Sequence, residues 1–98
     1  MPKEIVFLVG IGGMGMLPLA LYLKDKGIEV MGHDDTLHPL SKDVLKAANI
    51  QLTKKLPKQT KELVFSSAIS SEHSLLKEAN SLQIPCSRRG EFFARLIQ

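Results

Sequence analysis

Glycines at positions 10, 12 and 15, within Gly10-Ile11-Gly12-Gly13-Met14-Gly15, have the G-x-G-x-x-G spacing that brings a backbone against a diphosphate. The chemistry of such a loop is electrostatic rather than covalent. Backbone N–H groups with no side chain in the way, backed by the positive end of a helix dipole, face an anion. Gly10 permits a tight turn, Gly12 lets the backbone approach a phosphate, and Gly15 allows the following helix to pack closely on its strand. The alternative is a glycine-rich turn without a ligand, but spaced glycines cost chain entropy that alanine would spare at most such positions. A second group is His33-Asp34-Asp35. Asp34 lies 19 residues beyond Gly15, near the roughly 20-residue interval at which dinucleotide-binding domains carry an acid for the ribose hydroxyls. A carboxylate there accepts from both hydroxyls and repels a 2′-phosphate. Aspartate is also a good turn and helix-cap residue, and of the two acids Asp34 is the better ribose candidate.

The surrounding elements alternate between strand and helix. Ile5-Val6-Phe7-Leu8-Val9 runs into the glycines, an apolar helix follows to Lys26-Gly27, and Ile28-Glu29-Val30-Met31-Gly32 forms a second strand. A helix over 40–48, short strands over 50–52 and 63–65, a helix over 73–82, a fifth strand over 84–86 and a closing helix over 90–97 complete the pattern. Pro85 argues for a position at or near a sheet edge. Pro18 is tolerated only in the first turn of a helix, so the regular helix starts at residues 15–17 and leaves the amides of Gly12, Gly13, Met14 and Gly15 to face a ligand. Strands alternating with helices predict right-handed crossovers and an α/β, Rossmann-like, doubly wound parallel sheet of about five strands with helices on both faces. The expected strand order is 3-2-1-4-5. A ligand then sits where the order reverses, between the glycine loop and Ser66-Ser67-Ala68 at the end of strand four.

Ser66 and Ser67 suit donation to a base or phosphate and equally suit capping of a turn. Arg88 and Arg89 end the fifth strand and open the last helix, where a cation opposes the dipole unless another anion favours it. His33, His38 and His73 show no metal-ligand spacing and read as polar surface residues. Cys86 reads as a small buried hydrophobe.

The chain has 98 residues, 44% hydrophobic, with formal charge +3 and one cysteine. These values fit one small domain with a single core and exclude an internal disulfide. No apolar run reaches the roughly 18 residues of a membrane span, and the N-terminus lacks signal-peptide organisation. The basic stretch 54–61 contains a proline and no aromatics, which fits a solvated loop rather than a nucleic-acid surface. A cytoplasmic location is expected.

Taken together, residues 7–16, Gly32-His33-Asp34, Ser66-Ser67-Ala68-Ile69, and Ile84-Pro85 with Arg88-Arg89-Gly90-Glu91 resemble the N-terminal domain of the Mur ligases, in order and over the whole chain. The pattern is most similar to the member that joins L-alanine to UDP-N-acetylmuramic acid. The resemblance implies that this domain holds the UDP part of that sugar, with Gly10, Gly12, Gly13, Met14, Gly15, Asp34, Ser66, Ser67, Ala68 and Arg89 as binding residues and no catalytic or metal-binding ones. It further implies an ATP- and magnesium-dependent amide ligation through an acyl phosphate during peptidoglycan synthesis. The central ATP-binding domain that would carry it out is a partner of this one. No G-x-x-x-x-G-K-[ST] occurs here, so residues 1–98 are expected to be a single non-catalytic domain without the family's ATP and C-terminal domains. Leu17-Pro18 and His33 depart from the family pattern. Thr36-Leu37-His38-Pro39 has something of the ligase that recycles murein tripeptide, which is the nearest alternative. An NAD-binding half of an oxidoreductase and a nucleotide-sensing regulatory domain are the others.

Overall fold

The computed structural model describes residues 3–98. Nine elements follow one another: β1 (Ile5–Val9), α1 (Met16–Asp25), β2 (Glu29–His33), α2 (Pro39–Ala47), β3 (Gln51–Leu52), β4 (Thr60–Phe65), α3 (Ser74–Ser81), β5 (Cys86–Arg88) and α4 (Arg89–Leu96). The strands form one sheet in the order β3-β2-β1-β4-β5, every pairing parallel. This is the expected order.

β1 is central and buried along its whole length, as a parallel strand covered on both faces must be. Its side chains alternate between two cores. Val6 and Leu8 join Leu19, Leu23, Leu45 and Phe92 beneath α1, α2 and α4. Phe7 and Val9 join Leu63, Leu75, Leu76 and Ala79 beneath α3.

Three helices stop in the same way. Gly27, Asn49 and Gln83 follow α1, α2 and α3 with φ of +82°, +60° and +61°. After each, an isoleucine amide returns to a helix carbonyl, Ile28 to Leu23, Ile50 to Leu45 and Ile84 to Ala79. This left-handed stop reverses the chain and buries an apolar residue as it enters the next strand.

Most element bounds shift by one or two residues from expectation, and two strand starts move furthest. β4 begins at Thr60 rather than 63, because Thr60 and Glu62 are buried despite their polarity and the register with β1 skips Lys61. β5 begins at Cys86, since Pro85 has no N–H to donate; its carbonyl still accepts from Leu63 N at 2.9 Å. Pro18 falls in the first turn of α1, where it removes no helical hydrogen bond.

Glu62 is held by Ser87 Oγ, donating at 2.6 Å, and by the Arg95 guanidinium. Hydrogen bonding to Glu62 is the main cause that raises the Arg95 pKa above its ordinary value. The cluster joins β4, β5 and α4. Arg95→Ala should therefore lower the melting temperature by leaving a buried carboxylate short of its cation, and adding Glu62→Gln should restore part of the loss. A double variant that melts lower than Arg95→Ala alone would refute this account.

Candidate functional site

The four sequence motifs meet at the carboxyl ends of β1, β2, β4 and β5. A Cβ built on Gly10, whose φ is +82°, would lie 3.2 Å from Ser66 Cβ. On Gly12 it would meet Asp34 Oδ2 at 3.0 Å, and on Gly15 it would meet Arg89 Nε at 2.7 Å. Loop 10–15 is thus the hub that touches the ends of β2, β4 and α4.

Internal hydrogen bonds decide which amides remain for a ligand. Gly10 N and Ile11 N donate to the His33 carbonyl at 2.8 and 3.3 Å, and Gly13 N donates to the Gly10 carbonyl at 3.0 Å. Gly12 N donates to Asp34 Oδ2 at 2.8 Å. Of the four amides expected to face a ligand, Gly12 and Gly13 are therefore already engaged. Met14 and Gly15 are exposed, and their amides have no hydrogen-bond partner among the described residues. They sit where α1 presents the positive end of its dipole.

Asp34 combines the turn role and the loop role. Its Oδ1 accepts from Thr36 N at 2.9 Å and from Thr36 Oγ1 at 3.3 Å, forming an aspartate turn after β2, while Oδ2 tethers the glycine loop. Gly12 also faces a side chain of the segment leading into α2. A Cβ there would overlap Leu37 Cδ1 at 2.5 Å, so the space belongs to the segment leading into α2.

Gly15 likewise differs from expectation. The volume beside it is filled by the Arg89 side chain, with Cδ at 2.9 Å from the added Cβ position, and not by a strand. Arg89 is half-buried, and its guanidinium lies 6.0 Å from the centre of the Phe93 ring. Arg88 turns the other way, 5.1 Å over Phe65. The Arg89 side chain thereby lies against Gly15. Arg88 N donates to Glu91 Oε1 at 3.0 Å, an acid in the first turn that favours the start of α4.

Ser66 and Ser67 have different surroundings. Ser66 Oγ accepts from Ala68 N at 3.0 Å and closes the turn after β4. Ser67 lines a cleft of about 260 Å³ with Arg88, Arg89, Gly90 and Glu91. Ala68 is exposed at the turn. A larger cavity, about 510 Å³, lies at the opposite end of the sheet among Val6, Ile28, Lys61, Phe92 and Arg95, away from every candidate binding residue.

One constellation escaped the sequence. His33 Nε2 and His73 Nε2 each lie 2.8 Å from a different oxygen of Asp35. Hydrogen bonding from His33, then from His73, holds the Asp35 carboxyl below its ordinary value of 3.8. Residues 33 and 73 are too far apart along the chain for spacing to signal the pair.

A parallel sheet ordered 3-2-1-4-5, with a glycine loop at its reversal point and an acid after the second strand, defines a Rossmann-like domain. The particular family is given by likeness of sequence: residues 6–98 match the Mur ligase family, catalytic domain, and the chain belongs to that family. It is 40% identical over 98 residues to the UDP-N-acetylmuramate–L-alanine ligase of Pelagibacter ubique, a match covering 96% of this chain and 21% of that protein. With the corresponding ligase of Francisella tularensis subsp. novicida it is 36% identical over 101 residues, covering all of this chain and 22% of the relative. The chain thus spans about a fifth of the length of these curated relatives. The crystal structure of a UDP-N-acetylmuramate–alanine ligase from Thermotoga maritima superposes with a TM-score of 0.85 at 21% identity, covering 98% of this chain and 23% of that one. A murein peptide ligase from Psychrobacter arcticus gives 0.83 at 18% identity, covering 95% and 20%. Both share the fold.

Proposed function

We propose that this domain holds the UDP moiety of UDP-N-acetylmuramic acid for an ATP-dependent, cytoplasmic ligase that adds L-alanine during peptidoglycan synthesis. The observation that carries the reading is the meeting of Arg89 with Gly15 beside the exposed amides of Met14 and Gly15. Two N–H groups without a hydrogen-bond partner, the positive end of the α1 dipole and a guanidinium against Gly15 are together the groups that suit a diphosphate.

The parts take distinct roles. Gly10 and Gly13 shape the loop, Gly12 and Asp34 fix it to β2, Met14 and Gly15 donate to phosphate, and Arg89 supplies the positive charge. Ser67 edges the cleft beside Arg89, with Ser66 holding the turn through the Ala68 amide. Asp34 would reach a ribose hydroxyl only through lone pairs beyond those taken by the Gly12 amide and by Thr36. These residues contain no P-loop, so ATP and magnesium would be held by the central domain of a longer parent protein, with which this one would act. The domain alone would bind and not turn over.

An amide-resolved NMR titration tests the assignment. UDP and UDP-N-acetylmuramic acid should shift Met14, Gly15, Asp34, Ser67 and Ala68, and NAD should shift them less. Equal or larger shifts with NAD would replace the ligase reading with a dinucleotide-binding one. The murein-tripeptide ligase uses the same nucleotide sugar, and the alternative is separated by assaying the parent enzyme with L-alanine against tripeptide.

A further inference from the structure

We propose that His33, Asp35 and His73 form a binding site for a late first-row divalent cation, for which Zn²⁺ is the probe. Nothing in the diphosphate reading uses these side chains. His33 ends β2 on the same sheet face as Met31, the face that α3 covers. His73 caps α3, its Nδ1 accepting from Leu75 N at 3.1 Å. Sheet and helix therefore bring two rings together from opposite sides, with centroids 6.2 Å apart.

The donor atoms of all three residues lie within 4.8 Å of one another. The histidine side chains are only 14% and 16% exposed, whereas Asp35 is 60% exposed. Packing thus holds the rings in place, while the acid side stays open to an ion and its water ligands. Two imidazoles with one carboxylate match Zn²⁺ and its first-row neighbours. Magnesium and calcium prefer all-oxygen sets.

Binding an ion spreads the donor atoms and breaks the His73 cap. Ligand atoms on a tetrahedral ion at about 2.1 Å stand roughly 3.4 Å apart, and the two N–O separations here are 2.8 Å. In the metal-free state each Nε2 carries the proton that it donates to Asp35. Metal binding moves that proton to Nδ1 in each ring, so His73 exchanges its cap on Leu75 N for a metal bond. The ion would clasp the end of β2 to the start of α3, directly beside Asp34.

Calorimetry and amide NMR with Zn²⁺ alone test the site. One saturable ion per chain is expected, with shifts centred on residues 33–35 and 73–75. His73→Asn is the informative variant, because asparagine is among the best N-cap residues; it keeps α3 while removing a ligand. It and Asp35→Asn should each weaken binding by more than about tenfold, since even groups that only orient a metal ligand cost that much when removed. His38→Ala should leave binding unchanged. Absence of saturable binding, binding that survives His73→Asn, or binding that depends on Cys86 would each overturn the proposal.

Discussion

An alanine at position 32 should destabilise the domain by about 1 to 3 kcal/mol, the usual range for forcing a methyl group into a closed interior. Gly32 lies in β2 opposite Leu8 of β1. A Cβ there would stand 2.6 Å from the Leu8 carbonyl oxygen and 2.6 Å from Ile11 Cδ1. The first of these is backbone in the central ladder and has no rotamer to change. The second begins the glycine loop, so its displacement would disturb the candidate site as well. Urea denaturation should show a lower midpoint with an unchanged slope, the sign of a stability change without a change in the surface exposed. Gly90 supplies the contrast. A Cβ on it meets nothing within 4 Å, and it lies inside α4, so Gly90→Ala should stabilise by about 0.5 to 1 kcal/mol through helix propensity and reduced unfolded-state entropy. Equal losses at both positions would mean that the contact at Gly32 is not what matters.

Arg89→Ala should weaken binding of UDP-N-acetylmuramic acid by roughly tenfold to a hundredfold, the equivalent of one charge-assisted contact of about 1.5 to 3 kcal/mol. The structure makes a sharper statement than the loss alone. Because Arg89 occupies the space a Gly15 side chain would need, Gly15→Ala should push the guanidinium off its position and weaken binding in the wild-type background. In the Arg89→Ala background the same methyl meets no guanidinium, and its effect should be much smaller. A double-mutant cycle reads this coupling directly. Raising salt should weaken the wild type more than Arg89→Ala, since screening acts on the charge that the variant lacks. Lys58→Ala, in the loop before β4 and so at the opposite end of that strand from Ser66, is the control and should leave binding intact. Additive effects of Gly15→Ala and Arg89→Ala, or a loss at Lys58 without one at Arg89, would place the diphosphate elsewhere.

Much of the fold is legible in the order of residues. The continuous apolar strand at 5–9, the period of helical faces after it and the Gly27 stop are local patterns. Each reports on backbone geometry within a few residues of itself. The strand order is the doubly wound pattern that goes with a glycine loop after the first strand, built with crossovers of one preferred hand. The glycine spacing and the acid after β2 are local in the same sense. What the spacing cannot say is which atom from another element fills the room a glycine leaves. Asp34 takes the Gly12 amide from 22 residues away, Leu37 occupies the space over Gly12, and Arg89 covers Gly15 from the far end of the chain. His33, Asp35 and His73 meet only because α3 lies on the face to which β2 turns its last side chain. The chain by itself determined a Rossmann-like sheet with a glycine loop at its reversal point and membership of a ligase family. The tertiary structure alone decided which amides stay free, which cation lies against Gly15 and which histidines share an acid, because those depend on register and side-chain rotamers across crossovers rather than on separation along the chain.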